Sequence, residues 1–184
     1  MGMPAQQTEW TAEMVRALPD DGKRHEVLDG VLFVSPSPSR SHQRAVSLLL
    51  VALHEYCRQH ALGEALVSPA DIEFSPKDLV QPDVFVLPTI GSTWADADAL
   101  TLACEVLSPS TARSDRYDKR RTYQRHRVPE YWIIDLDARF VERWLPDDAR
   151  PEVLGEILEW QPRTGFQPLV LNLPEFFSAA LALK

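Results

Sequence analysis

Leu-Thr-Leu-Ala-Cys-Glu-Val-Leu, residues 100–107, is a nearly continuous apolar run that predicts the central strand of the fold. A strand without polar alternation is typical of a sheet that is covered on both faces. Glu105 interrupts this run, and a buried carboxylate costs roughly several kcal/mol unless it is paired, hydrogen-bonded or bound to a cation. The stretch therefore predicts a central strand and a glutamate that needs a partner.

The segments on either side of this strand predict one mixed α/β domain. Asp29-Gly30 joins two strands within residues 25–35, because Asp-Gly supplies the positive φ angles of a two-residue hairpin turn. Thr11 caps a short helix, residues 41–60 form a longer helix that Gly63 ends, and Pro174 starts a closing helix. After residues 108–111, a helix to about Arg125 leads into another strand. The predicted strands outside the hairpin are 65–68, 72–74, 83–87, 100–107, 131–136, 139–145, 153–160 and 166–171, with a loop over 88–98.

Composition limits the class of protein before any motif does. A chain of 184 residues that is 45% hydrophobic is long enough for one domain with a core, so we expect a single domain over residues 1–184. Cys57 and Cys104 have apolar neighbours, which favours buried thiols in a reducing cytoplasm over a disulfide. The chain has no apolar run of membrane-spanning length and no signal-peptide pattern, so we expect a soluble cytoplasmic protein.

Two acidic residues on neighbouring strands predict a metal site. Asp83 follows Pro82 at the start of one apolar strand, and Glu105 lies inside the next. If they lie side by side, the two carboxylates repel, and a hard cation removes that repulsion by taking oxygen ligands. Mg²⁺, or Mn²⁺, is the natural candidate, because such an ion acidifies water and neutralises a phosphoryl oxygen during phosphodiester hydrolysis. Taken alone, either acid has a structural explanation, since aspartate starts turns and strand glutamates pair with arginines.

The helix after the central strand is strongly basic although the whole chain carries a net charge of −8. Residues 113–127 contain seven basic and two acidic side chains, a net charge of +5. Arg113, Arg116 and Arg120 are candidates to hold DNA phosphates without reading sequence. A solvated helix surface has the same composition, so both interpretations stay open.

Several motifs together resemble a known bacterial family. They are Pro82-Asp83, Glu105-Val-Leu-Ser-Pro-Ser-Thr111, Asp115 with Lys119 and Tyr123, Val128-Pro-Glu-Tyr-Trp-Ile-Ile-Asp135, and the upstream His25-Glu26-Val-Leu-Asp-Gly30 and Ser35-Pro-Ser-Pro38 with His42. In this order they resemble the domain family named "putative restriction endonuclease", of the PD-(D/E)XK nuclease superfamily. The resemblance implies a restriction-endonuclease-like core, in which helices flank a central mixed sheet, with Mg²⁺ as cofactor and DNA as substrate.

The chain departs from the superfamily pattern at one position. The superfamily places a lysine two residues after the acid, on the same strand face, but Leu107 is found there. The resemblance implies that Lys119, on the following helix, takes over that role. Asp115 precedes Lys119 by one helical turn, so an ordinary solvated ion pair is the alternative.

The resemblance also adds less certain members to the site. It makes Glu26 a further acidic member, although an exposed hairpin glutamate is an equal alternative. Tyr123 shares the helix face of Lys119 and either contacts DNA or packs under the helix, and packing is the more economical of the two. His42, near a helix start, either meets a phosphate or belongs to the capping region, and the capping interpretation is slightly favoured.

The predicted function is therefore a Mg²⁺-dependent endonuclease that cleaves DNA, with two rivals. One is an inactive nuclease-fold module that binds DNA or protein, which the missing strand lysine favours. The other is a metal hydrolase with a different substrate, which the overall negative charge allows. Enzymes that cut both strands often act as dimers because two-fold symmetry matches the duplex, so a homodimer is compatible with the prediction.

Overall fold

The computed structural model describes residues 9–88 and 100–182. The first part contains α1 (Ala12–Arg16), β1 (Arg24–Leu28), β2 (Val31–Ser35), α2 (Arg40–His60), β3 (Glu64–Val67), β4 (Ile72–Ser75), β5 (Asp78–Val80) and β6 (Val84–Leu87). The second part contains β7 (Leu102–Val106), α3 (Ala112–Ser114), a π-helical turn (Asp115–Lys119), α4 (Arg120–Arg125), β8 (Glu130–Asp135), β9 (Phe140–Trp144), β10 (Glu152–Leu154), β11 (Ile157–Trp160), β12 (Leu169–Asn172) and α5 (Leu173–Leu181). The predicted loop over residues 89–98 lies outside the described residues.

A six-stranded mixed sheet runs through the centre of the fold. Its strand order is β10-β9-β8-β7-β6-β3, in which β7 and β8 are parallel and the other neighbours are antiparallel. A parallel pair needs a crossover connection, and the helical segment from α3 to α4 supplies it. Every residue of β7 is buried, as its apolar run predicts. The predicted α/β class, with helices flanking a central mixed sheet, is confirmed.

A second sheet carries the predicted hairpin beside the central one. Its strand order is β2-β1-β5-β4, with all neighbours antiparallel. Asp29 and Gly30 have φ angles of 52° and 76°, so the turn has the conformation that Asp-Gly favours. The three residues of β5 were not predicted as a strand. Strand β1 of this second sheet carries Arg24 and Glu26.

Two apolar clusters cover the two faces of the central sheet. On one face, α2 and α5 pack with Leu53, Phe177 and Trp132 fully buried, and both unpaired cysteines lie in this cluster. On the other face, Tyr123 of α4 packs against Tyr131. Burial of both faces explains why β7 shows no polar alternation.

Two boundaries differ from the predictions. Helix α2 ends on Ala61, which adopts the left-handed conformation expected of Gly63. Gly63 has a φ angle of 120° and lies against the backbone of Leu87, so its missing side chain permits close approach of β3 to β6. The single strand predicted over residues 153–160 is divided into β10 and β11, which pair with different partners.

No helix within residues 9–88 and 100–182 has the length and apolar character needed to cross a membrane.

Substituting Gly63 should destabilise the fold. In Gly63→Ala the new Cβ would collide with the carbonyl oxygen of Leu87, and alanine is strained at this φ angle. We expect a loss of about 2 kcal/mol or more in the free energy of unfolding, measured by urea titration. Gly155→Ala is the control, because its Cβ meets no atom, and a change of less than about 0.5 kcal/mol is expected there. Equal stability of the two variants would contradict the close approach.

Candidate active site

Asp83 and Glu105 come together where β6 begins and β7 ends. The ladder pairs Val84 with Cys104, so the next position outward places Asp83 opposite Glu105. Residues directly opposite in an antiparallel pair share one face. The backbone N–H of Val106 donates to Oδ2 of Asp83 at 2.9 Å, which fixes that carboxylate against β7. Two acids from different strands thus lie side by side at one end of the central sheet.

The ammonium group of Lys119 lies among carboxylates from three elements. Its Nζ is 2.8 Å from Oε1 of Glu105, 2.9 Å from Oε1 of Glu26 and 3.7 Å from Oδ1 of Asp115. The π-helical turn from Asp115 to Lys119 widens the helix and turns both side chains inward. The Asp115–Lys119 pair is buried, which contradicts the alternative of a solvated surface pair.

Lys119 keeps its proton at any ordinary pH. Burial alone would lower the pKa of this lysine, but the charges of Glu105, Glu26 and Asp115 outweigh burial and raise the pKa well above its usual value. A lysine held in this way is a fixed positive charge. It can stabilise developing negative charge but cannot serve as a general base.

Asp83 is held ionised by three donors. Nη1 of Arg24 lies 2.6 Å from its Oδ1, and Nε2 of His42 lies 3.0 Å from its Oδ2, the atom that also accepts from Val106. Burial works to raise the pKa of Asp83, but the hydrogen bond from His42 and the charge of Arg24 outweigh burial and lower it. This carboxylate therefore stays negative and has a fixed orientation.

The pKa values of Glu105 and Asp115 are shifted in the opposite direction, upward. Burial raises the pKa of Glu105 well above its ordinary value because Lys119 offsets only part of the penalty and the charge of Asp83 adds to it. Burial likewise raises the pKa of Asp115 to about 6, although Lys119 lies nearby. The Tyr123 hydroxyl donates to Oε1 of Glu105 at 3.3 Å. The buried Oδ1 of Asp115 has no hydrogen-bond partner among the described residues.

The site contains more acids than cations. Glu26, Asp83, Glu105 and Asp115 are buried, and they share the buried ammonium of Lys119 and the half-buried guanidinium of Arg24. Carboxylate oxygens in excess of nearby cations are the donor set that suits a hard divalent ion. No group of three or more His, Cys, Asp or Glu side chains has metal-site geometry within the described ranges. A two-carboxylate site still fits Mg²⁺, which usually takes one or two protein carboxylates and completes its shell with water and phosphate oxygens.

One family of known proteins matches almost the whole chain. A family model described as "Uma2: Putative restriction endonuclease" matches residues 12–182. The chain belongs to this family. The resemblance inferred from the motifs is thereby confirmed, and membership in the Uma2 family supports nuclease function.

A solved structure has the same fold as this Uma2 chain. It is the crystal structure of a protein from Anabaena variabilis described as a putative nuclease belonging to DUF820. The TM-score is 0.76 at 18% sequence identity, and the match covers 93% of this chain and 99% of the other. A search of curated proteins found no match.

The candidate DNA-contacting residues of this Uma2 chain are in different surroundings. Arg113 is exposed, but Arg116 binds Asp135 and Glu142, and Arg120 lies over the ring of Trp144. Tyr123 is fully buried and His42 is nearly so. The side chains of Arg116, Arg120, Tyr123 and His42 have partners within the protein, so DNA contact by any of the five candidates stays a prediction.

Two functional side chains have surroundings that the sequence did not predict. Glu26 is 1% exposed and accepts the N–H of Gln81 at 2.7 Å, so the alternative of an exposed hairpin glutamate is wrong. Arg24 was missed altogether. A signal was present, because residues two apart on a strand share a face, and Arg24 and Glu26 both point toward the acids.

Removing the ammonium group of Lys119 should cost stability in a pH-dependent way. Lys119→Met leaves Glu26 and Glu105 buried without their cation, so we expect a loss of about 3–5 kcal/mol in the free energy of unfolding near pH 8. The folded variant would bind more protons than the unfolded chain, because the pKa values of Glu105 and Asp115 are raised, so the loss should shrink as the pH falls through about 6. Urea titrations across this range measure both effects.

The control is Lys77→Met, which removes an exposed lysine that pairs with Glu9. It should change stability by less than about 0.5 kcal/mol at either pH. A Lys119→Met variant as stable as this control would show that the ammonium does not offset the buried acids.

Proposed function

We propose that the protein is a metal-dependent endonuclease that hydrolyses DNA phosphodiester bonds, with Mg²⁺ or Mn²⁺ held by Asp83 and Glu105. The observation that carries this proposal is the convergence of two strand carboxylates beside one buried, permanently charged lysine. Family membership supports the reaction class.

When bound, the metal would acidify a water molecule and neutralise charge on the phosphoryl oxygens. Side chains of the protein itself supply the remaining roles. Arg24 and His42 hold Asp83 ionised and oriented, so its carboxylate has a fixed position beside β7. Glu26 holds the Lys119 ammonium from the side away from the central sheet. Lys119 then presents a fixed positive charge where negative charge builds on the phosphate in the transition state.

The raised pKa of Glu105 has a consequence for metal binding. Metal binding requires a deprotonated carboxylate, and a divalent ion supplies the positive charge that the buried acids lack. Metal binding should therefore release protons and weaken at acidic pH.

The exposed Arg113 at the start of the basic helix is the accessible candidate for a neighbouring phosphate.

Removing either ligand charge should abolish cleavage. Asp83→Asn and Glu105→Gln keep side-chain shape but remove the charge that holds the ion, so we expect loss of Mg²⁺-dependent nicking of supercoiled plasmid and of Mn²⁺ binding in calorimetry. Glu142→Gln is the matched control, because Glu142 is a buried strand glutamate that pairs with Arg116 outside the site. Cleavage by Asp83→Asn at the wild-type rate would refute the proposed chemistry. DNA binding without metal or cleavage would favour the inactive module instead.

The lysine is tested separately from the metal ligands. Lys119→Arg keeps the positive charge that offsets the buried acids, so Mn²⁺ binding should be retained, and the broad planar group should cost about 1–3 kcal/mol of stability in this buried position. We expect kcat to fall by about 10²-fold because the charge no longer lies where the transition state needs it. An unchanged kcat would remove Lys119 from the catalytic role and leave the metal site intact.

A further inference from the structure

We propose that the pocket beside Asp83 accepts one unpaired nucleotide of the strand that is cut, so that the substrate is single-stranded or locally opened DNA instead of intact duplex. This inference rests on the proposed function and narrows its substrate class.

The first argument is how deeply the site lies. Asp83 is 4% exposed, Glu105 is 1% exposed and Lys119 is 2% exposed. A pocket of about 390 Å³ opens against Asp83, with Arg24 and His42 beside it. The neighbouring cavity of about 290 Å³ ends against other residues and touches no carboxylate of the site. A phosphate that enters through the larger pocket therefore reaches the carboxylate of Asp83.

The second argument is the chemistry of the pocket walls. One part is apolar and includes Val46, Val67 and Pro69, which suits the flat face of a base. Gln43 and Gln81 add amide groups that can meet the polar edge of a base. Lys23 and Arg24 offer cationic groups to the phosphate of that nucleotide, and Asp20 and Asp83 of the same lining balance their charge.

The third argument is an unfilled hydrogen-bonding position at the start of α2. Ser39 caps this 21-residue helix by accepting the N–H of His42, so the positive end of the helix faces the pocket region. His42 itself lines the pocket and is 5% exposed. Its Nε2 meets Asp83, whereas its buried Nδ1 has no hydrogen-bond partner among the described residues. A negatively charged group that enters the pocket would lie beside the first turn of α2 and the imidazole of His42.

The fourth argument is size. The pocket volume lies within the range that holds one small-molecule ligand, and a base pair with both of its backbones is much larger. In an intact duplex the phosphates lie on the outside of the double helix. They would therefore stay at the protein surface and would not reach the buried acids of the site. Enzymes that do chemistry on a base take its nucleotide out of the stack, and a nucleotide taken into this pocket would meet the same cost of about a few kcal/mol, which is smallest when the base is already unpaired.

Cleavage of three substrates with one sequence tests the preference. They are a labelled single strand, a duplex with an unpaired internal stretch, and a fully paired linear duplex, each incubated with the full chain and Mn²⁺. We expect kcat/KM for the first two to exceed that for the paired duplex by about 10-fold or more, because unpairing costs at least about 1.4 kcal/mol. A paired duplex that is cut as fast would overturn the inference and leave the proposed function standing. Failure to cut any DNA would overturn both.

A bulky substitution that fills the pocket tests whether the pocket binds the substrate strand. Gln43→Trp projects a large side chain from α2 into the pocket, so we expect KM for the single strand to rise by about 10-fold or more while Mn²⁺ affinity stays unchanged. The control is Val51→Trp, about two helical turns later on α2, where the native side chain is 68% exposed and outside the pocket. It should cut like the wild type.

A second filling variant guards against failure of the first to fold. Ser37→Trp enters from the loop on the other side of the pocket and is exposed in the native chain. Single-strand cleavage at the wild-type KM by a folded Gln43→Trp or Ser37→Trp protein would overturn the assignment of the pocket.

Discussion

The buried charge of Lys119 is the constraint on which the site depends. Its ammonium lies within 2.9 Å of carboxylates from both sheets, Glu26 of β1 and Glu105 of β7. Without a cation at this position, the buried acids would repel one another with little solvent to screen their charges. The same interaction joins the hairpin sheet to the central sheet, so one ion-pair network serves the packing of the domain and the chemistry proposed for it.

The two halves of this network have different electrostatic roles. Asp83 is stabilised in its charged form by Arg24 and His42, whereas the pKa values of Glu105 and Asp115 are raised by burial. Neighbouring carboxyl groups with pKa values shifted apart are typical of functional sites, because a purely structural ion pair has no need of surplus acids. The surplus here is what makes a divalent cation the fitting partner for the proposed reaction.

Local sequence patterns predicted much of the fold but only part of the site. The apolar run of residues 100–107, the Asp-Gly hairpin and the α2 amphipathic stripe each carry their own periodic or turn signal, and the structure has all three. Glu26 and Arg24 lack such a signal, because their burial depends on how the hairpin sheet docks against strands far along the chain. Arg116 and Arg120 appear as free basic charge in the sequence because their partners, among them Glu142 and Trp144, follow on β9. The π-helical turn was also beyond sequence reasoning, since its residues are compatible with an ordinary helix.

The spread of the site along the chain also affects when nuclease activity can arise during synthesis. Glu26 leaves the ribosome early and Lys119 much later, and the parallel pairing of β7 with β8 requires residues up to Asp135. A nascent chain that lacks the π-helical turn, α4 and β8 has Glu26, Asp83 and Glu105 but neither the ammonium of Lys119 nor the strand that supports β7. Incomplete or truncated products of translation therefore lack an assembled site.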